Sequence, residues 1–280
     1  MKIKITSDST CDLSRELLER HDVFVLPLAV TIGDRTCRDG VDAKPEDIYA
    51  HVKNGGALPS TAAINPSEYM ELFEGFLKEY DAVIHFNISS GFSSCHQNAK
   101  LAAAELENVY VIDSQNLSTG QGLLVLRAAE LAAQGVEPAV ICEQMNEDAL
   151  RVDASFILEQ LEYLRKGGRC SAVAALGANL LKLKPCIEVR DGKMGVGKKY
   201  RGNFDKCLMD YITDRIGGRE DLDLKRVFVT HSGLSEELEQ MAVNKVRELQ
   251  PFEEVCVTRA GCTVSSHCGP GTIGVLFVRK

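Results

Sequence analysis

Polar and apolar positions along the chain switch repeatedly between a period of two and a period of three to four. Residues 2–6 alternate as a strand, and Asp12 stands where an N-cap would open a helix running to residue 20. Residues 23–32 form one strand run that turns at Gly33-Asp34. Pro45 suits the first turn of a helix reaching residue 52, closed by Asn54-Gly55-Gly56. A polar loop at 59–66 precedes Tyr69, Leu72, Phe73, Phe76 and Leu77, which share one helical face. A strand at 82–88, a helix at 93–106, a strand at 109–112 and a long helix at 117–134 follow. Strands separated by helices pair in parallel through right-handed crossovers. The first half therefore predicts a doubly wound, mostly parallel α/β sheet.

The pattern changes after about residue 150. A strand at 154–158, a helix at 159–166 stopped by Gly167-Gly168, and a helix at 171–181 come first. Two strand runs, 186–190 and 194–200, flank Asp191-Gly192, a strong hairpin signal. Helix 204–216, strand 226–231, helix 236–249, strand 254–259 and a last strand at 274–278 complete the chain. Antiparallel pairing in this half predicts a mixed sheet. The expected organisation is an N-terminal domain of residues 1–150 and a C-terminal domain of 151–280, with a ligand cleft between them.

Charge removes one class of partner. The 280 residues carry 40 acidic and 32 basic side chains, a net charge of −8. Basic clusters are short, as in Arg165-Lys166 with Arg169, or Lys198-Lys199 with Arg201. Binding to nucleic acid rests on phosphate neutralisation, so nucleic acid is not an expected partner. No segment offers the ~20 unbroken apolar residues of a membrane span. The alternating start, Met1-Lys2-Ile3-Lys4-Ile5, does not resemble a signal peptide, and a cytoplasmic protein is expected. The ten cysteines include no C-x-x-C pair and read as reduced, mostly buried thiols. Cys256, Cys262, His267 and Cys268 lack zinc-finger spacing and read as a core strand followed by a loop.

Candidate chemistry gathers at four strand ends with hydroxyl-rich turns: residues 6–10, 89–94, 113–120 and 230–233. In parallel α/β sheets ligands bind beyond the carboxyl ends of strands, where helix N-termini point free N–H groups. Helix capping accounts sufficiently for three of the four. The turn at 89–94 differs, because Gly91 allows a tight bend or a close approach to a ligand, and Ser93 and Ser94 open a helix. Hydroxyls and orphan N–H groups together suit a carboxylate or oxyanion. Phosphate-loop, dinucleotide and nucleophile-elbow fingerprints are absent. Among the histidines, His267 in the bent, non-helical segment His267-Cys268-Gly269-Pro270-Gly271 is a better functional candidate than His21 or His51 on polar helix surfaces. His85 reads as packed within a strand, and His96 lies near the Ser93 turn.

Six segments resemble the DegV family in order and spacing. They are Ile5-Thr6-Ser7-Asp8-Ser9-Thr10-Cys11-Asp12-Leu13, Ser60-Thr61-Ala62, Ile88-Ser89-Ser90-Gly91-Phe92-Ser93, Val111-Ile112-Asp113-Ser114, Tyr163-Leu164-Arg165-Lys166-Gly167-Gly168-Arg169, and His267-Cys268-Gly269-Pro270-Gly271-Thr272-Ile273-Gly274-Val275. The resemblance covers the whole chain. It implies a two-domain protein that holds a long-chain, palmitate-like fatty acid in an interdomain tunnel. It further implies that the acid is presented to a separate dihydroxyacetone-kinase-like kinase, which phosphorylates the carboxylate. The family pattern places carboxylate contacts on Thr61, Ser93 and His267, with the backbone N–H groups of Ala62 and Ser94 as further donors. It associates Arg169 with the domain junction or the kinase surface. Neither a cofactor nor a metal is implied. The sequence departs from the family pattern at Ala62, where a hydroxyl is usual, and at Ser94-Cys95-His96.

The physical requirements agree with that implication. Burying an acyl tail is favourable, whereas desolvating its carboxylate is costly unless donors replace water. Thr61, Ser93 and His267 could supply those donors, and a cationic His267 would add a charge-assisted bond. An alternative reading is a small serine esterase with Ser93 as nucleophile, His267 as base, and Asp8 or Asp113 to orient the imidazole.

Overall fold

A computed structural model of the chain describes residues 1–174 and 183–280. The expected helix at 171–181 is present over Ser171–Ala174, and its remainder lies outside the described residues. Strands β1 (Ile3–Asp8), β2 (Val23–Leu26), β3 (Ala29–Ile32), β4 (Arg35–Arg38), β5 (Ser60–Ala62), β6 (Ala82–Asn87) and β7 (Val109–Asp113) come first. Strands β8 (Val152–Leu158), β9 (Leu183–Arg190), β10 (Lys193–Arg201), β11 (Leu222–Ser232), β12 (Glu254–Arg259) and β13 (Thr272–Arg279) follow.

These strands make three sheets. β2-β1-β6-β7 is fully parallel, as the helical crossovers require, and every residue of its central strand β6 is buried. β10-β9-β8-β13-β11-β12 is mixed, with only β11 and β12 parallel. The hairpin at Asp191-Gly192 turns with both residues at positive φ, 50° and 71°, as a two-residue loop demands. A small antiparallel sheet, β4-β3-β5, stands beside the parallel one.

Four expectations are corrected. The single strand at 23–32 is two strands in different sheets, because Pro27 between them has no N–H to continue a ladder. The loop at 59–66 contains β5, three residues too short for alternation to reveal. The cap of helix Arg15–Arg20 is Ser14, whose hydroxyl accepts from the Leu17 N–H at 3.3 Å; Asp12 adopts a left-handed conformation at φ 49°. Helix Pro138–Ala149, opened by its proline, and strand β4 were not anticipated.

One apolar cluster joins the sheets. It contains Ile5 and Ile84 of the parallel sheet, Leu124 and Leu126 of helix Thr119–Ala133, and Phe156 and Leu276 of the mixed sheet. Eight of the ten cysteines are buried and fill space as small apolar groups.

Candidate ligand-binding site

Thr61 sits at the centre of the edge strand β5, opposite Val30 of β3, so the β3–β5 ladder fixes its position. His267 lies in helix Cys262–Cys268, which corrects the expectation of a non-helical loop there. The helix stops at Cys268, before Gly269, whose φ of 73° favours glycine. Thr61 Oγ1 and His267 Nε2 hydrogen-bond at 3.0 Å.

Ser93 follows β6 in a tight turn. Its hydroxyl accepts from the Cys95 N–H at 3.2 Å and lies 3.2 Å from Cys95 Sγ, at the start of helix Cys95–Ala103. Ser94 is exposed at the N-cap of that helix. Gly91 does allow a close approach, but to protein: a Cβ there would fall 2.4 Å from the Gly192 carbonyl oxygen. The Ser89 hydroxyl donates to that same oxygen at 2.8 Å, so the β9–β10 hairpin tip is fastened onto the turn that carries Ser93.

Thr61, Ala62, Ser93, Ser94, Arg169 and His267 all line one cavity of about 380 Å³. Its apolar wall includes Leu28, Ile88, Phe92, Leu117, Met194 and Val264. That volume is within the ~300–1,000 Å³ typical of small-molecule sites. The lining comes from both the parallel and the mixed halves of the chain. A few polar groups at one side of an apolar hollow can hold an amphipathic molecule by its head.

Electrostatics correct the expectation of a cationic His267. Burial, with the Arg169 guanidinium second, lowers its pKa to about 4, so the imidazole is neutral at pH 7. Its Nδ1 is buried without a hydrogen-bond partner among the described residues. Gly167, at the end of helix Glu162–Gly167, permits this packing, since a Cβ there would lie 2.7 Å from Nδ1. Arg169 is exposed, donates to the Gly167 carbonyl at 2.8 Å, and has no carboxylate partner among the described residues. Among the described lining residues the fixed positive charge is therefore Arg169, which the family resemblance associated with the domain junction or the kinase surface.

The family model described as "Uncharacterised protein, DegV family" matches residues 2–280. The chain belongs to the DegV family. A DegV domain-containing protein of Caldanaerobacter subterraneus is 32% identical, with the alignment covering 100% of this chain and 99% of that protein. The solved structure of a fatty acid-binding DegV family protein from Thermus thermophilus is similar at a TM-score of 0.88 and 31% identity, covering 100% of both chains. A stearic acid-binding protein from Eubacterium ventriosum is similar at a TM-score of 0.85 and 26% identity, covering 99% of this chain and 98% of that one.

Within this DegV family chain the serine-esterase constellation is not assembled. His267 hydrogen-bonds Thr61 and not Ser93. Asp8 is occupied by the Thr10 hydroxyl, the Ile88 N–H and the amides of Asn87 and Gln121, and Asp113 accepts from the N–H groups of Ser90 and Gln115. Among the described residues no carboxylate reaches Nδ1 of His267. The other hydroxyl-rich turns are internal: Ser118 donates to Asp12, Thr119 pairs with Thr230, and Ser232 pairs with Ser265. His85 is fully buried, as its strand position predicted. Cys262 and Cys268 occupy opposite ends of one helix, and among the described residues no group of His, Cys, Asp and Glu is arranged to hold a metal ion. No described helix is long and apolar enough to cross a membrane. Sequence reasoning missed Leu28, Leu117 and Met194 as cavity walls, because cavity and core positions share one hydrophobic signature.

Proposed function

We propose that this protein binds a long-chain fatty acid in the cavity between residues 1–150 and 151–280, treated as two domains. The carboxylate is received by the Thr61 and Ser93 hydroxyls, the His267 imidazole and the N–H groups of Ala62 and Ser94. Arg169 supplies the countercharge. The observation that carries this reading is the convergence of Thr61 and His267 at 3.0 Å on the wall of a largely apolar cavity. Two solved structures of fatty acid-binding proteins, one of them a DegV family protein, similar over essentially the whole chain, support it.

The energetics support a carrier. A C16 acid buries about 14 methylenes at ~0.8 kcal/mol each, a gross gain of roughly 11 kcal/mol. Leaving the carboxylate without donors would cost several kcal/mol of that gain. A neutral imidazole suits the role, since it donates one hydrogen bond without the cost of a buried cation.

In the same proposal the protein has no nucleotide site of its own and presents the acid to a separate dihydroxyacetone-kinase-like kinase. The test has two stages. Mass spectrometry of the protein from native extracts should find a long-chain acid, and titration with hexadecanoate should saturate at one site. Acyl phosphate should then form from ATP only when such a kinase is added. Absence of lipid in both binding measurements rejects the carrier, and acyl phosphate made by the isolated chain rejects the division of labour.

A further inference from the structure

The helix that carries His267 is poorly suited to stand alone. Cys262-Thr263-Val264-Ser265-Ser266-His267-Cys268 is rich in β-branched and hydroxyl residues of low helix propensity, and its seven residues are far short of an independently stable helix. The first N–H groups of any helix also need outside acceptors. Here two buried carboxylates from distant segments supply them. Asp39, directly after β4 and 5% exposed, accepts from the Cys262 N–H on Oδ1 at 2.6 Å and from the Thr263 N–H on Oδ2 at 3.0 Å. Asp12 accepts from the Gly261 N–H at 2.8 Å. Carboxyl oxygens at a helix N-terminus satisfy the N–H groups left free there, and the capping rests on this geometry.

Asp39 is itself fixed. The Ser9 hydroxyl donates to its Oδ2 at 3.0 Å, and its own N–H donates to the Leu28 carbonyl at 2.9 Å, at the entry to β3. β3 pairs with β5 through Val30 and Thr61. One small sheet therefore grips the same short helix twice, through Asp39 at its first turn and through Thr61 at His267 in its last.

We infer that Asp39 is a positioning residue of the carboxylate site, setting the place of His267 through the first turn of helix Cys262–Cys268. The inference rests on the proposed carboxylate-binding reading for its functional meaning. It explains how a side chain that never faces the ligand governs the imidazole that does. It also explains why a helix of unfavourable composition forms where it does.

The test uses the full chain with Asp39→Ala and the conservative Asp39→Asn, which keeps the shape and one acceptor. Two quantities are read: hexadecanoate affinity by calorimetry, and the His267 titration midpoint by NMR. In Asp39→Ala the affinity should fall at least tenfold, and the midpoint should rise from about 4 towards the ordinary imidazole value of about 6.5 as the ring leaves its buried seat. Asp39→Asn should restore part of both. An Asp39→Ala protein whose midpoint and affinity match the parent overturns the inference. Should Asp39→Ala not fold, Asp39→Asn and Ser9→Ala are read by the same criteria, and an unmoved midpoint in both again overturns it. Failure of the parent protein to bind hexadecanoate rejects the functional reading alone, because the midpoint still decides whether Asp39 places His267.

Discussion

Thr61 Oγ1 and His267 Nε2 lie 3.0 Å apart across a separation of 206 residues. The hydroxyl comes from a three-residue strand and the imidazole from a seven-residue helix, and neither element would persist in isolation. The contact is thus a product of tertiary structure. It places two hydrogen-bonding groups on one cavity wall, where each could turn from the other to an incoming acid.

Thr61→Val removes the hydroxyl with little change of volume. A hydrogen bond to a charged group contributes about 1.5–3 kcal/mol, so hexadecanoate affinity should fall about ten- to a hundredfold. Thermal stability should fall modestly as well, because the His267 ring loses its one hydrogen-bond partner among the described residues. Calorimetric titration checks the first expectation and a melting curve the second; unchanged affinity would remove Thr61 from the site.

The neutral burial of His267 predicts an acid-side loss of stability. The folded imidazole titrates at about 4, and an unfolded one at about 6.5. Between those values the unfolded chain binds more protons, so stability rises with pH across this window. The contribution is complete above about pH 6.5 and is lost as pH falls towards 4. His85, fully buried and lowered to about 3, acts with the same sign. Urea denaturation at a series of pH values should show a smaller acid-side slope in His267→Gln than in the parent, and equal slopes would contradict the assignment.

Helices show most clearly what was legible without coordinates. Phe204–Ile216 and Glu236–Leu249 lie where periodicity put them, because each presents a long apolar stripe opened by a capping residue, Asn203 or Ser235. Of the cavity's polar positions, Ser93, Ser94 and His267 were legible in the residues themselves, whereas Thr61, Ala62 and Arg169 were legible only through resemblance, since short turns and edge strands have no periodic signal. The helix around His267 was hidden for a definite reason. Its acceptors, Asp12 and Asp39, lie more than 200 residues away in sequence, and Gly269-Pro270-Gly271 beside it reads as a loop. Local composition opposed the helix and tertiary capping prevailed.

Gly167→Ala separates binding from stability. A methyl group there would lie 2.7 Å from His267 Nδ1 and should push the imidazole from its seat. The same change should favour the helix Glu162–Gly167 by up to ~1 kcal/mol. Fatty acid affinity should therefore drop while the denaturation midpoint holds or rises. A parallel loss of both would point to general unfolding instead.

Gly91→Ala tests the fastening between the Ser93 turn and the β9–β10 hairpin. Its Cβ would meet the Gly192 carbonyl oxygen at 2.4 Å, a backbone atom that cannot rotate away. The resulting overpacking should cost about 1–3 kcal/mol of stability. It should also quicken amide hydrogen exchange at Gly192 and Lys193. Parent-like exchange with parent-like stability would show that the turn tolerates the extra atom.

The unbroken apolar seam from Ile5 and Ile84 through Leu124 and Leu126 to Phe156 and Leu276 has a practical outcome for anyone dividing the chain. Cut after residue 150, the leading piece would keep a greasy flank with nothing to cover it, and would clump in water rather than stand alone. By the same logic, heating should melt the parallel and mixed sheets in a single cooperative step.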